Sequence, residues 1–172
     1  MNVCARKVVS WALLFSAVAS VIEAQSIPTG RRAPEFDLPT LNGDRFELSR
    51  LRGHPVILSF WATWCPPCRN EFPELVKVQA KYAEAGLYVV GVNGRDQERS
   101  TKDVQRFVDV FSVAFPIALD NRGSVRRAYR IEAQPTTVFI DAGGTVRRVH
   151  AGLITRDELD GGIALILALR RK

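Results

Sequence analysis

The sequence predicts an α/β fold in which a central mixed β-sheet is flanked by helices on both faces. Short apolar runs rich in β-branched residues alternate with segments whose apolar residues recur every three or four positions. Strand–helix–strand order, followed by a hairpin and a last helix, is typical of a mixed sheet. With 172 residues, 47% of them hydrophobic, the chain is long enough for one such domain with an ordinary core.

The first 24 residues have the pattern of a secretory leader. Arg6 and Lys7 precede an apolar run from Val8 to Ile22, and polar sequence follows it. The run is about 15 residues long, whereas a helix needs roughly 20 to span a bilayer. We therefore expect cleavage, with an uncleaved N-terminal anchor as the alternative. The predicted divisions are residues 1–24 (signal peptide or anchor), 25–32 (flexible lead) and 33–172 (folded domain).

The first part of the domain predicts three strands. Residues 36–38 and 45–48 flank the dipeptide Asn42-Gly43, which favours the positive φ angles of a tight hairpin. The run VILSFW, residues 56–61, is almost entirely apolar, as expected of a strand that is covered on both faces. We expect this third strand to lie at the centre of the sheet.

The later elements follow from the same two periodicities. From Cys68 onward, apolar residues recur at helical spacing until Gly86, a suitable residue to end a helix. Pro73 lies inside this helix and should kink it, because proline lacks an amide donor. The other predicted elements are a strand over 87–92, helices over 101–111 and 124–129, and a β-hairpin formed by 137–140 and 145–149.

The chain ends in a predicted helix that begins with a capping box, in which Thr155 and Glu158 bond to each other's backbone amides. Its apolar part runs from Ile163 to Leu169, and Gly161-Gly162 weakens its middle. Such a short apolar stretch cannot span a bilayer, so we interpret it as a helix that faces the core.

The net charge of +6 does not predict nucleic-acid binding. The arginines are scattered, apart from one cluster formed by Arg122, Arg126, Arg127 and Arg130 on a helical pattern. Tyr129 is the one aromatic residue within this cluster, which does not make a stacking platform for bases. We interpret it as a solvated basic face, with attraction to acidic partners or anionic lipid headgroups as the alternative.

Two cysteines, Cys65 and Cys68, form the candidate site. They follow the central strand and open the next helix, within the stretch FWATWCPPCRNEFPEL. Zinc needs four ligands, and the domain adds only His54 and His150, which are distant in sequence. We therefore expect no metal and no other cofactor. A disulfide across two residues closes too small a loop to stabilise a fold greatly, so a redox pair is the preferred interpretation.

The position of the pair predicts a role for each cysteine. Unpaired amides and the helix dipole stabilise a thiolate at Cys65, which we expect to attack the substrate. Cys68 is then expected to resolve the mixed disulfide. Pro66-Pro67 adds no charge and no hydrogen-bond donor that would make the pair a strong oxidant. The sequence therefore favours a reductant, with a disulfide-forming oxidant or isomerase as the alternative. We expect Trp64, beside Cys65, to shield and present the disulfide.

The chain resembles the thioredoxin-like family, specifically the exported TlpA/ResA type of thiol:disulfide oxidoreductase. The resemblance extends from Ala33 to about Leu169 through the motifs APEFDLPTLNG, FWATWCPPCRNEFPEL, YVVGVN, FPIALDNRG and QPTTVFIDAGG. It implies a thioredoxin-like fold and a cis-proline that faces the disulfide, at Pro135. It also implies that backbone beside this proline binds an extended substrate segment. We assign substrate binding to Trp64, Pro66, Pro67, Gln134, Pro135 and Thr136.

The same resemblance singles out an acidic residue. Thioredoxins carry a buried acid six residues before the first cysteine, where this chain has Ser59. In the ResA-like pattern the acid instead follows the second cysteine by three residues, and Glu71 occupies that place. One hypothesis is that Glu71 is catalytic and relays a proton from Cys68. The other is that it is an acid on the first turn of the helix, favoured there by the helix dipole.

The resemblance also implies a biological setting. The expected substrates are disulfides in exported proteins, such as apocytochrome c or copper-site assembly proteins, and the expected location is extracytoplasmic, in the bacterial periplasm. A membrane thiol donor of the DsbD/CcdA kind would recharge the pair, and membrane contact would occur only through an uncleaved N-terminal segment. A peroxiredoxin-type thiol peroxidase is less favoured, because Ala62 and Leu58 replace its threonine and proline. A non-enzymatic peptide-binding module is the remaining alternative.

Overall fold

The computed structural model describes residues 27–169. The strands are β1 (Asp37–Pro39), β2 (Arg45–Glu47), β3 (Val56–Trp61), β4 (Tyr88–Asn93), β5 (Ile117–Leu119), β6 (Thr136–Ile140) and β7 (Val146–Ala151). The α-helices are α1 (Pro66–Tyr82), α2 (Thr101–Val110), α3 (Ser124–Ala128) and α4 (Arg156–Ala168). Two short 3-10 helices span Leu48–Leu51 and Arg95–Gln97. The predicted leader, residues 1–24, lies outside the described residues.

The main sheet has five strands in the order β5-β4-β3-β6-β7. Strands β3, β4 and β5 are parallel, whereas β6 runs antiparallel to both β3 and β7. The carboxyl ends of the parallel strands therefore meet the start of β6 at one edge, where Phe60 pairs with Thr136. This edge gathers the segments that follow β3 and precede β6, which contain Cys65 and Pro135.

The two faces of the sheet are covered by different elements. Helices α1, α2 and α4 pack on one face, where they contact Ile57 and Trp61 of β3. The β1–β2 hairpin and α3 pack on the other face, against Leu58 and Phe60 of the same strand. Alternate residues of β3 thus enter two separate cores, and every residue of the strand is buried. The predicted mixed sheet with helices on both faces is confirmed.

Three local predictions differ from the structure. The β1–β2 connection spans residues 40–44, because the amide and hydroxyl of Thr40 both donate to the carbonyl of Asp44. The predicted hairpin forms around Asn42-Gly43, and the Gly43 amide donates to the carbonyl of Thr40 at 3.1 Å. Of these two residues only Gly43 has a positive φ, so the connection is longer than a two-residue turn. Helix α1 ends at Tyr82, and Gly86, with φ of 71°, belongs to the turn that follows it. Strand β5 was not predicted. It has three residues at the edge of the sheet and is too short to show the alternation typical of a strand.

Helix α1 continues through Pro73. A kink there remains a prediction, and the physical reason for it is unchanged, since proline cannot donate to the carbonyl one turn before it.

Residues 27–32 are bound to the domain, although their composition predicts a flexible lead. Ile27 is buried and its amide donates to the carbonyl of Tyr129 at 3.2 Å. The Gly30 amide donates to the carbonyl of Val146 at 2.7 Å. Within residues 27–169, no helix is both long and apolar enough to cross a membrane.

Candidate active site

Cys65 and Cys68 form a disulfide at the start of α1. Cys65 is the N-cap residue, and its sulfur accepts a hydrogen bond from the Cys68 amide at 3.2 Å. Pro66 and Pro67 occupy the first two helical positions, where an amide would have no partner within the helix. After reduction, the same amide and the helix dipole would stabilise a thiolate at Cys65.

The Gln134–Pro135 peptide bond is cis, as the resemblance implies. The carbonyl of Pro135 accepts from the amide of Gly152 at 2.8 Å, and this contact joins the loop to the end of β7. Thr136 is buried and its hydroxyl donates to the carbonyl of Ala133, so the side chain shapes the turn. Gln134 donates through its side-chain amide to Gln97 at 3.1 Å. The binding roles of these residues remain predictions.

Glu71 lies on α1, one turn after Cys68, with its carboxyl group buried against the sheet. Its Oε1 accepts hydrogen bonds from Thr137 at 2.9 Å and from Ser59 at 3.2 Å. Burial raises the pKa of Glu71 to about 7, although both hydroxyl donors oppose this shift. The alternative of a first-turn acid is wrong, because Glu71 lies beyond the first turn of α1 and is buried. A proton relay remains a proposal.

Sequence reasoning missed the two hydroxyls that hold Glu71. Ser59 and Thr137 face each other directly across the β3–β6 pair. Both are fully buried polar residues within otherwise apolar strands. A buried hydroxyl requires a hydrogen-bond partner. A serine and a threonine within apolar strands therefore indicate, from the sequence, that a polar partner is buried nearby.

The loop that precedes the disulfide is held by another buried carboxylate, that of Glu98. It accepts hydrogen bonds from the amide and hydroxyl of Thr63, and from the side-chain amide of Asn93 at 2.8 Å. These bonds fix the residue before Trp64, whose side chain is 57% exposed beside Cys65. Glu98 comes from the loop after β4, so no local pattern in the sequence connects it with the site.

Among residues 27–169, no group of three or more His, Cys, Asp or Glu is placed to hold a metal ion. His54 lies before β3, at the edge opposite the disulfide, and contacts the carbonyl of Gly86 at 3.2 Å. His150, on β7, lies 3.5 Å from the carboxylate of Glu158. In these contacts, both histidine rings interact with residues other than the cysteines.

The disulfide at a helix start, the cis-proline and the mixed sheet together define a thioredoxin-like protein of the thiol-disulfide oxidoreductase class. Residues 29–149 match the model of the AhpC/TSA family. The chain belongs to this family.

Similar proteins carry consistent names. The chain is 40% identical to the thioredoxin-like protein YneN of Bacillus subtilis, over 78% of each chain. It is 36% identical to the thiol-disulfide oxidoreductase ResA of Halalkalibacterium halodurans, over 92% of this chain and 89% of the relative. A secreted Mycobacterium tuberculosis disulfide oxidoreductase, described as homologous to E. coli DsbE, superposes with a TM-score of 0.67 and 32% identity, over 76% of this chain and 95% of that one.

Proposed function

We propose that this protein is a dithiol reductant of disulfides in exported proteins. The observation that supports the proposal most strongly is the disulfide between an N-cap cysteine and a cysteine inside the helix, with the Cys68 amide bonded to the Cys65 sulfur. In the reduced protein this arrangement makes Cys65 the thiolate that attacks.

The surroundings of the pair favour reduction over oxidation. A dithiol–disulfide couple becomes more oxidising as its thiolate is stabilised. Its reduction potential rises by about 30 mV for each 1.4 kcal/mol of stabilisation. Here Pro66 and Pro67 offer Cys65 no donor and no charge, so between the two cysteines only the Cys68 amide and the helix dipole stabilise the thiolate. A negative charge on the buried Glu71 would disfavour a thiolate on α1. Arg69 acts in the opposite direction, but its guanidinium lies over the ring of Phe107, at 5.4 Å.

The reaction consists of two exchanges that balance in electrons. The Cys65 thiolate attacks a client disulfide, forms a mixed disulfide and releases one client thiolate. Cys68 loses its proton and attacks the Cys65 sulfur, which reforms the Cys65–Cys68 bond and releases the second client sulfur as a thiolate. Two electrons pass to the client. In this scheme the Glu71 carboxylate accepts the proton of Cys68, since it lies one turn away and titrates near neutral pH.

The proposed setting is extracytoplasmic, in the periplasm. The leader pattern of residues 1–24 supports export, and one similar protein is described as secreted. The proposed clients are apocytochrome c and copper-site assembly proteins. Because such compartments are oxidising, the Cys65–Cys68 disulfide needs a membrane thiol donor to reduce it after each turnover.

Trapping the mixed disulfide tests this function. We would incubate the Cys68→Ser variant with a peptide whose Cys-x-x-Cys-His motif is oxidised, the motif to which c-type haem attaches. The variant should accumulate a one-to-one adduct through Cys65, visible by mass spectrometry, because no second thiol resolves it. The matched Cys65→Ser variant should form little adduct, since Cys68 lies inside the helix and lacks the N-cap position at which the helix amides stabilise a thiolate. Equal trapping by both variants, or by neither, would contradict the proposed roles.

A further inference from the structure

A cavity of about 620 Å³ opens beside the disulfide, and the function above does not use it. Its walls come from three places: the residues around the cysteines, the loop after β4, and one face of α2. Two large apolar side chains on its border are strongly exposed, Trp64 by 57% and Val110 by 66%. Apolar surface of this kind, next to a site that must receive a protein segment, is typical of a binding surface.

The cavity also carries positive charge that the described residues do not neutralise. Three arginines line it, Arg69, Arg99 and Arg106. Arg106 is paired with Asp103 at 2.9 Å. Arg69 and Arg99 have no carboxylate within salt-bridge distance among residues 27–169.

The wall also contains two carboxylates, so three arginines against two acids leave a net charge of +1. Asp103 pairs with Arg106 and also attracts Arg99. Both oxygens of Glu98 face inward, to hydrogen bonds with Thr63, and Oε1 also accepts from Asn93. Arg69 and Arg99 thus line the cavity without a direct ion pair, and Arg69 lies over the ring of Phe107, which lines it as well.

One hydrogen bond connects the cavity wall to the loop that contains the cis-proline. Gln97, which lines the cavity, accepts the hydrogen bond from Gln134, the residue before Pro135. Trp64 and Arg69 in its wall directly flank the two cysteines. An extended chain advances about 3.3 Å per residue, so a segment beside Pro135 reaches the cavity within a few residues of its own cysteine.

We propose that this cavity binds an acidic segment of the client, in which Asp or Glu stands beside an apolar residue a few positions from the client's cysteine. The carboxylate pairs with Arg69 and Arg99, whose planar guanidinium groups suit bidentate contacts. The apolar residue covers Trp64 and Val110. This inference rests on the proposed function, because the client's cysteine must reach Cys65.

Binding of unreactive peptides to the oxidised full-length protein separates this inference from the exchange reaction. Two peptides carry serine in place of cysteine and differ only in their flank, Asp-Glu-Leu in one and Asn-Gln-Leu in the other. The acidic peptide should bind the wild type about 3- to 10-fold more tightly, as expected of two partly exposed ion pairs, and the difference should shrink as salt is added. Titration of tryptophan fluorescence or calorimetry measures both affinities.

Two variants with matched changes complete the design. In the Arg69→Gln/Arg99→Gln double variant the preference for the acidic peptide should fall toward one. The Lys77→Gln/Lys81→Gln double variant removes two cations from α1 that do not line the cavity, and it should keep the full preference. Equal binding of both peptides to the wild type, or an undiminished preference in the double variant, would overturn the inference. Failure of Cys65 to form mixed disulfides would instead contradict the proposed function, whatever the peptides show.

Discussion

At the scale of single residues, the buried carboxyl group of Glu71, one turn after Cys68, is the group whose protonation we expect to control the exchange. Its place three residues after Cys68 identified it as a candidate, and the structure buries it beside two hydroxyls. The sequence alone could not decide between a buried and an exposed carboxyl. That outcome depends on the pairing of β3 with β6, which places Ser59 opposite Thr137 under the helix.

We predict that Glu71→Gln removes the increase in reaction rate that the wild type shows near pH 7. In the wild type, resolution of the mixed disulfide should accelerate as the pH rises through about 7, because only the ionised carboxyl accepts a proton from Cys68. In the Glu71→Gln variant, the rate of resolution should not show this increase near pH 7. Stopped-flow measurement of client thiol release between pH 5 and 9 checks it, and an unchanged profile would remove the relay role. Glu74→Gln is the matched control, since Glu74 is a partly exposed carboxylate on the same helix.

Stability measurements test whether the carboxyl group of Glu71 has a pKa of about 7 in the folded protein. The folded protein holds the Glu71 proton up to about pH 7, whereas the unfolded chain releases it near the ordinary value of 4.5. The free energy of unfolding should therefore fall by about 3 kcal/mol as the pH rises through this interval. Urea titrations of the oxidised protein should detect this fall in the wild type and in Glu74→Gln, but not in Glu71→Gln.

At the scale of elements, α4 shows why a locally unfavourable sequence is retained. Gly161-Gly162 weakens the middle of the helix, as the sequence predicts, but only one of the two glycines is required by packing. A β-carbon on Gly162 would lie 2.4 Å from the ring of Phe139 on β6, whereas one on Gly161 would meet only Arg148, at 3.6 Å. The close approach of α4 to the sheet depends on Gly162, and no period in the sequence distinguishes the two positions.

These two glycines provide a matched pair of substitutions. Gly161→Ala should raise the free energy of unfolding by about 0.5–1 kcal/mol, because alanine favours the helix and meets no obstacle. Gly162→Ala should lower it, because the new methyl group pushes α4 away from Phe139. Urea denaturation at one pH measures both. Equal effects of the two changes would show that the helix does not pack as closely as the structure indicates.

At the scale of the whole molecule, element order was more predictable than the arrangement of loops. The apolar run of β3, the capping box of α4 and the cysteine pair were evident from local sequence, and each lies where it was predicted. The antiparallel placement of β6 brings Pro135 to the edge that holds Cys65. The cavity beside the disulfide likewise joins residues of α1 and α2 that are distant in sequence. The position of Pro135 and the cavity both depend on contacts between segments that are distant in sequence, and no local sequence pattern predicts such contacts.

The central claim is that Cys65 and Cys68 form a reversible two-electron couple on the reducing side. Equilibration of the protein with glutathione buffers, followed by alkylation and mass spectrometry, measures its reduction potential directly. We predict a single two-electron transition below about −200 mV, on the side of thioredoxin. A value near −120 mV, typical of strong periplasmic oxidants, would contradict a reductant. The absence of any transition would contradict the couple itself.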